Sequence, residues 1–308
     1  MGKIYIVTYK SSLNEYLFHC DEDLIPIFKD QSHPDHLVIS FIKRVISHFF
    51  HIYIPRYFDV KSKKMLKKIC PEDKLICFIE EPWDAEYLSS HVNTSHLIIY
   101  LWNSVLNRSS IRDQIAHWYR LGFDVYTFDK SDAIKYRLKF NNQFYKIPKR
   151  YGVSNLRNSS NISIKYGFYF LGRNKNREDI LLKMQQNLSV FGECKFIILG
   201  SNYNVRKEIS YKKNLEFITE SEVLIDIVQN GQSGLTIRTM ESLFFGKKLI
   251  SNNKEIKNTD FYDENNIFIW DKDTNNTQIA AFLAKTYRPI SMAILQKYTV
   301  EVWLKRFV

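Results

Sequence analysis

Residues Asp226 to Ile250, DIVQNGQSGLTIRTMESLFFGKKLI, give the clearest indication of the fold. An apolar strand is predicted to end at residue 228, and a Gly-Gln-Ser-Gly turn follows at residues 231–234. A helix is predicted at residues 235–245 and a second strand at 248–250. Parallel strands need a crossover between them, usually a helix, so this order predicts a parallel α/β sheet. The turn places backbone N–H groups at a helix N-terminus, which predicts an anion-binding loop.

The same alternation of apolar strands and amphipathic helices extends in both directions from this stretch. Strands are predicted at residues 3–9, 74–79, 96–102, 124–128, 166–171, 194–199, 216–218, 223–228, 248–250 and 266–270. Helices are predicted at residues 37–50, 111–121, 131–138, 177–191, 235–245, 277–286 and 291–307. Continuous apolar strands are typical of sheets that are covered on both faces.

Residues 141–165 interrupt this pattern with polar residues and predict a linker. We therefore predict an α/β fold with two Rossmann-like domains, residues 1–150 and 151–289, and a cleft between them. A closing helix at residues 290–308 is expected to pack back on the first domain. A length of 308 residues fits two domains, and such pairs bind ligands where strands end.

The composition excludes several classes of protein. Hydrophobic residues make up 45% of the chain, which excludes global disorder, and 10 Gly and 7 Pro are too few for a collagen-like chain. The net charge of +11 raises the alternative of nucleic-acid binding. Residues 1–150 carry 22 Lys and Arg against 17 Asp and Glu, and residues 151–308 carry 22 against 16. This even distribution and the lack of a recognisable nucleic-acid module disfavour that alternative.

The sequence also indicates the compartment. The N-terminus lacks the apolar core and cleavage site of a signal peptide, and no apolar stretch approaches the ~20 residues that cross a bilayer. Four cysteines without CxxC spacing indicate free thiols in a reducing environment rather than disulfides. We expect a cytoplasmic protein that at most rests on the cytoplasmic face of the membrane.

Two segments with basic residues suggest chemistry beside the predicted strand ends. Arg173 and Arg177 follow Gly172, where a strand ends and a helix begins, which predicts phosphate binding; a solvated basic turn is the alternative. Arg238 and Glu241 lie three residues apart and share a helix face, which is also compatible with an ordinary surface salt bridge.

These residues resemble a known family. The run GLTIRTMESLFFGKKLIS at residues 234–251 resembles the donor-site segment of GT-B-fold glycosyltransferases, and Gly172-Arg173 resembles the opening of their donor domain. Segments of bacterial lipopolysaccharide and polysaccharide biosynthesis proteins are similar to residues 102–103, 126–133, 135–136 and 298–304.

The resemblance implies a metal-independent glycosyltransferase of hexosyltransferase type that moves a sugar from a nucleotide-sugar donor to a cell-surface glycan or glycolipid. It implies no cofactor and no metal, and a donor domain that contacts ribose through Glu241 and neutralises negative charge through Arg173 and Arg238. No nucleic-acid partner is expected, because of the even charge distribution described above. The implied donor-binding residues are Gly172, Arg173, Arg177, Gln232, Ser233, Gly234, Leu235, Thr236, Arg238 and Glu241. A GT-B sugar-nucleotide epimerase is the alternative that shares this site.

The reaction outcome depends on further acidic residues. Many retaining relatives carry an acidic residue eight positions before the helix Glu, where this chain has Ser233. An inverting transfer instead needs a general base from the amino-terminal half. Candidates after predicted strands or a βα segment are Glu80, Glu81, Asp84, Asp129 and His19. Asp129 can alternatively cap the following helix, and the other carboxylates can cap helices or face solvent.

Two further clusters lie in the amino-terminal half. His33/His36 and His48/His51 have H-x-x-H spacing, but no further ligands complete a metal set, so no structural zinc is predicted. A run of five lysines in eight residues predicts either a solvated helix face or contact with anionic lipid headgroups on the inner-membrane surface or with a phosphorylated glycolipid acceptor. These lysines are Lys61, Lys63, Lys64, Lys67 and Lys68.

Overall fold

The computed structural model describes residues 2–19, 24–29, 58–106, 108–146, 163–200 and 209–307. Contacts divide the chain into two compact units, Met1–Tyr126 and Thr127–Val308. The predicted domain boundary between residues 150 and 151 lies outside the described residues, as do the predicted helix at 37–50 and most of the predicted linker.

The first sheet has six strands in the order β2-β1-β3-β4-β5-β6, and β1, β2, β3 and β4 pair in parallel. Its strands are β1 (Ile4–Tyr9), β2 (Leu24–Lys29), β3 (Lys74–Cys77), β4 (His96–Leu101), β5 (Phe123–Thr127) and β6 (Lys139–Phe140). The intervening helices are α1 (Ser12–Leu17), α2 (Val60–Leu66), α3 (Pro82–His91), α4 (Ser109–Arg120) and α5 (Lys130–Tyr136).

Strand β2 did not appear in the sequence prediction because Pro26 interrupts its apolar run. The structure places β2 at the edge of the sheet, where it pairs with β1 alone. Proline is tolerated at a sheet edge because one side of the strand needs no ladder hydrogen bonds. The strand therefore forms through tertiary pairing despite its proline.

The second sheet has five parallel strands in the order β11-β10-β9-β7-β8. Its strands are β7 (Tyr166–Arg173), β8 (Cys194–Leu199), β9 (Ser221–Asp226), β10 (Lys248–Ser251) and β11 (Ile267–Ile269). The helices of this unit after β7 are α6 (Glu178–Leu188), α7 (Tyr211–Thr219), α8 (Ile237–Phe245), α9 (Asn276–Ala284), α10 (Met292–Gln296) and α11 (Val300–Leu304). Apolar side chains of β7, β8 and β9 form one core with those of α6 and α9. This core holds in place the carboxyl ends of β7 and β9, where the candidate site lies.

Three local predictions were wrong. The strand predicted at residues 216–218 lies inside α7, because Tyr211, Asn214, Leu215 and Ile218 are buried with helical rather than alternating spacing. The single helix predicted at residues 291–307 is two helices, since Thr299 caps a second one.

The third concerns the start of the predicted linker. Asn141 and Tyr145 are buried, and Tyr145 pairs with the backbone beside Thr299. Phe144 packs on Trp303 with ring centroids 4.0 Å apart. This segment is therefore part of a packed core together with the closing helices.

In the described part of the chain, no helix is long and apolar enough to cross a membrane. Cys70, Cys77 and Cys194 are free thiols, and Cys20 lies outside the described residues.

Candidate functional site

The two segments predicted to bind anions lie at one edge of the second sheet. Strand β7 ends at Arg173 and strand β9 ends at Asp226, and the two strands are parallel neighbours. Parallel strands that sit side by side place their carboxyl ends at the same edge. The structure therefore brings Gly172, Arg173 and the turn before α8 to a common edge.

Arg177 ties these two strand ends together. One guanidinium nitrogen donates to the Ile227 carbonyl, and Nε and Nη2 donate to the Arg173 carbonyl at 3.2 and 3.1 Å. Gly172 permits this approach, because a Cβ there would lie 2.8 Å from Nη2 of Arg177. Burial lowers the pKa of Arg177. Because its donors serve backbone carbonyls, Arg177 is a structural tie, whereas Arg173 is exposed at the strand end.

Helix α8 begins at a cap that is anchored to strand β9. The Thr236 hydroxyl accepts from the Thr239 amide and donates to Asp226 Oδ2 at 2.8 Å, and the Thr239 hydroxyl donates to the same oxygen at 2.8 Å. Burial raises the pKa of Asp226, and the two hydroxyl donors oppose that effect. The cap therefore fixes the first turn of α8 against the end of β9.

Two backbone amides of the predicted anion loop are occupied by a side chain. Asp129 Oδ2 accepts from the Ser233 and Gly234 amides, both at 2.8 Å, and Oδ1 accepts from the Ser233 hydroxyl at 2.5 Å. Oδ1 also caps α5 by accepting from the Ser131 and Asp132 amides. Asp129 is 0% exposed, so this arrangement favours the capping alternative over a role as general base.

The carbonyls of the same loop are held from the opposite side. Asn253 Nδ2 donates to the Ser233 and Gly234 carbonyls, both at 3.2 Å, and Gln143 Nε2 donates to the Leu235 carbonyl at 3.2 Å. Buried side chains, rather than the hydrogen bonds of a sheet or helix, therefore satisfy three successive backbone carbonyls. We found no sequence signal for these partners, which come from separate segments.

Gly234 is required by a close approach. A Cβ at this position would lie 2.5 Å from the Phe128 ring and 3.0 Å from the Phe128 carbonyl oxygen. Gly234, which belongs to the run that resembles a donor-site segment, is therefore needed in this chain for close packing against Phe128.

Glu241 lies inside a buried polar network. Its Oε2 pairs with Arg238 Nη1 at 2.6 Å, and its Oε1 accepts from the Tyr211 hydroxyl and Asn214 Nδ2, both at 2.8 Å. The Tyr145 and Tyr211 hydroxyls are 2.5 Å apart. Glu241 is 1% exposed, and burial raises its pKa although Arg238 opposes that shift. Its predicted ribose contact stays a prediction, because a ribose hydroxyl would have to replace one of these partners.

Arg238 extends from this network to the sheet. Its Nη2 donates to the Leu171 carbonyl at 3.2 Å, and its guanidinium lies 5.0 Å from the centre of the Tyr169 ring. The Arg238–Glu241 pair is therefore a buried pair rather than the surface salt bridge that was the alternative, and it holds a positive charge close to the end of β7.

The candidate general bases of the first unit occupy different environments. Glu80 forms an ion pair with Arg108. Glu81 is the N-cap residue of α3, but its side chain makes no capping hydrogen bond and is exposed. His19 is exposed after α1.

Asp84 is buried against a lysine that the sequence analysis missed. Lys29 Nζ lies 2.5 and 2.6 Å from the two Asp84 oxygens, and the side chains are 6% and 5% exposed. Burial raises the pKa of Asp84, and Lys29 opposes that shift. Lys29 was missed because strand β2, which it ends, was not predicted.

The lysine run forms part of α2 and the turn after it. Lys61, Lys64, Lys67 and Lys68 are exposed, whereas Lys63 is half-buried with its Nζ 6.0 Å from the Tyr87 ring centre. Four of the five charges therefore face solvent.

Among the residues with described positions, no group of three or more His, Cys, Asp or Glu side chains could hold a metal ion. His33, His36, His48 and His51 lie outside those residues. Independence from metal and cofactor stays a prediction.

Comparison with solved structures identifies the fold. An alpha-glucosyltransferase in complex with UDP-glucose and DNA containing an abasic site matches with a TM-score of 0.54 and 10% identity, over 99% of this chain and 92% of that one. The chain has the GT-B fold. No protein-family model and no curated protein matches the sequence.

Two further solved structures match with lower scores. Anabaena Alr3699/HepE in complex with UDP-glucose has a TM-score of 0.49 and 7% identity, covering 99% of this chain and 98% of that one. A glycosyltransferase from Rickettsia africae ESF-5 has a TM-score of 0.46 and 10% identity, covering 99% and 96%.

Proposed function

We propose that this protein is a glycosyltransferase of hexosyltransferase type that transfers a sugar from a nucleotide-sugar donor. The observation that carries the proposal is the pair of guanidinium groups beside the end of β7, with Arg173 exposed and Arg238 held by Glu241. The alpha-glucosyltransferase that shares the fold is in complex with UDP-glucose. Clustered positive charge at this edge suits the diphosphate of such a donor.

In this proposal Arg173 and Arg238 stabilise the leaving diphosphate. Negative charge develops on that group as the bond to the sugar breaks, and preorganised cations lower the energy of the transition state. Glu241 orients Arg238 through the 2.6 Å ion pair. The function proposed for these groups requires neither a cofactor nor a metal ion.

For an inverting transfer we propose Glu81 as the general base. Among the carboxylates considered, Glu80 is paired with Arg108, Asp84 with Lys29, and Asp129 is enclosed by amide donors. Glu81 is exposed at the start of α3, so an acceptor hydroxyl can approach it.

The proposed acceptor is a cell-surface glycan or glycolipid that the protein meets at the cytoplasmic face of the membrane. The exposed lysines of α2 and its following turn support this acceptor, because clustered lysines attract anionic headgroups.

A nucleotide-binding experiment tests the proposed function. UDP-glucose and UDP, within a panel of other nucleotides and sugar nucleotides, are expected to raise the thermal unfolding midpoint. Arg173→Ala is expected to weaken binding roughly tenfold in calorimetry, because one charge-assisted interaction with phosphate is lost. Arg112→Ala removes an exposed arginine from α4 and serves as the matched control.

The result that would contradict the proposal is a wild-type protein whose unfolding midpoint responds to no nucleotide in the panel. Conversion of a bound sugar nucleotide to its epimer without any acceptor would identify the epimerase alternative. Salt-sensitive retention on DNA in place of nucleotide binding would identify a nucleic-acid-binding protein.

A further inference from the structure

Asp129 stands out because its carboxylate bonds two different elements. Oδ1 accepts from the Ser131 and Asp132 amides at 2.9 and 3.2 Å and thereby caps α5, and it also accepts from the Ser233 hydroxyl at 2.5 Å. Within the part of the chain that the structure describes, Oδ2 accepts from the Ser233 and Gly234 amides alone, both at 2.8 Å. One buried carboxylate thus joins the start of α5 to residues 232–236, which we call the pre-α8 loop.

Side chains from several segments hold the middle of the loop, and Asp226 holds Thr236 at its end. The Ser233 and Gly234 amides donate to Asp129, and the carbonyls of residues 233–235 accept from Asn253 and Gln143. Hydrogen bonds to an ionised acceptor in a water-excluded site are stronger than neutral ones. Asp129 is therefore the charged hydrogen-bond partner of the loop, and its contacts are expected to be the strongest of these.

The pre-α8 loop leads directly into the residues assigned to the donor. Thr236 at its end caps α8, and Arg238 follows in the first turn of that helix. A displacement of the loop would move the helix start and the guanidinium together, and misplacement of a binding group by about 1 Å can cost two orders of magnitude in rate.

We infer that Asp129 is a positioning residue: it holds the pre-α8 loop, and with it Arg238, in the position that binding of the donor diphosphate requires. This inference rests on the proposed function. Asp129 acts through the loop and does not contact the donor. The opposite relation, in which Asp129 blocks loop amides that the donor phosphate would use, predicts the opposite sign of effect.

An Asp129→Asn variant separates the two roles of the side chain. The amide oxygen in place of Oδ1 can still accept from Ser131 and Asp132, so the α5 cap is retained. The amide nitrogen in place of Oδ2 would face the Ser233 and Gly234 amides donor to donor, so both amide contacts of the loop are lost, while the Ser233 hydroxyl can still donate to the retained oxygen.

The expected result has two parts. Hydrogen exchange measured by NMR is expected to speed up at the Ser233 and Gly234 amides, while the Ser131 and Asp132 amides keep their protection. The calorimetric affinity for UDP is expected to fall roughly tenfold. Asp59→Asn is the matched control: Asp59 caps α2 by accepting from the Ser62 amide, so this variant should bind UDP as the wild type does.

A second variant approaches the loop from its other side and covers the case in which Asp129→Asn fails to fold. In Asn253→Asp, Oδ1 still accepts from the Glu255 amide, but a carboxylate oxygen replaces the Nδ2 that donates to the Ser233 and Gly234 carbonyls. The same loss of UDP affinity is expected, again with the rest of the protein protected from exchange.

Unchanged or tighter UDP binding in a folded Asp129→Asn or Asn253→Asp variant would overturn the inference while leaving the proposed function intact. Unchanged exchange at Ser233 and Gly234 in Asp129→Asn would overturn it as well. A wild-type protein that binds no nucleotide would overturn the proposed function and the inference together.

Discussion

Asp129 and Glu241 are both buried carboxylates, and the second unit stabilises their charges in different ways. Asp129 accepts from four backbone amides and one hydroxyl. Glu241 pairs with a guanidinium and accepts from Tyr211 and Asn214. A buried charge without partners is strongly destabilising, so each of these residues requires its partners to be in place.

Lys247 provides a test of charge burial at a single residue. Burial lowers its pKa to about 8, and its Nζ donates to the Thr219 carbonyl at 2.8 Å. Between about pH 8 and 10 the unfolded chain holds a proton that the folded protein has released. The free energy of unfolding is therefore expected to rise with pH in this window, by at most about 1 kcal/mol per pH unit because Lys247 retains some solvent exposure.

Lys247→Met is expected to remove this rise, since methionine has a similar length and no charge. Urea denaturation of wild type and variant at several pH values measures the difference. Parallel pH dependence of the two proteins would show that Lys247 is not the titrating group.

At the scale of elements, the start of α8 depends on one hydroxyl with two functions. The Thr236 hydroxyl accepts from the Thr239 amide and donates to Asp226. Thr236→Ala loses both bonds and leaves Asp226 with one hydroxyl donor fewer. The free energy of unfolding is expected to fall by about 1–2 kcal/mol.

Thr236→Ser keeps the hydroxyl and is the matched control, with an expected loss below about 0.5 kcal/mol. Urea denaturation of the three proteins at neutral pH measures both changes. Equal stability of the Ala and Ser variants would contradict the importance of the cap.

For the whole molecule, we expect binding to anionic membranes to depend on where the exposed positive charge lies rather than on the net charge of +11. Replacement of Lys61, Lys64, Lys67 and Lys68 by Gln is expected to abolish most binding to anionic liposomes. Each lysine near such a surface contributes about 1 kcal/mol, and added salt should weaken wild-type binding. Cosedimentation with vesicles of defined anionic lipid content measures both effects.

A charge-matched control distinguishes location from net charge. Lys183, Lys254, Lys257 and Lys272 are exposed lysines of the second unit, and their replacement by Gln lowers the net charge equally. Equal vesicle binding by the two fourfold variants would contradict a specific role for the lysine run.

The secondary structure near the site could be predicted from local pattern. Strand 194–199 was predicted with its observed bounds, and the helix predicted at residues 235–245 was observed at Ile237–Phe245. The spacing of apolar residues indicates which face of a helix or strand is buried, and it can be read from residues that are close together in the sequence. Strand β2 and helix α7 were missed because sheet-edge pairing and packing against β7 and β9 decide their structure.

The alternation of strands and helices, the glycine before α8 and the basic residues at the end of β7 could all be read from the sequence alone. These features depend on neighbours within a few residues, through backbone preference, capping and periodic burial. Three contacts instead depend on the three-dimensional fold. Asp129 accepts from the Ser233 amide 104 residues away, Lys29 pairs with Asp84, and Arg177 donates to backbone carbonyls. The donor and acceptor groups of a side chain determine which partners it can bond, but the fold determines which of those partners lies within hydrogen-bonding distance.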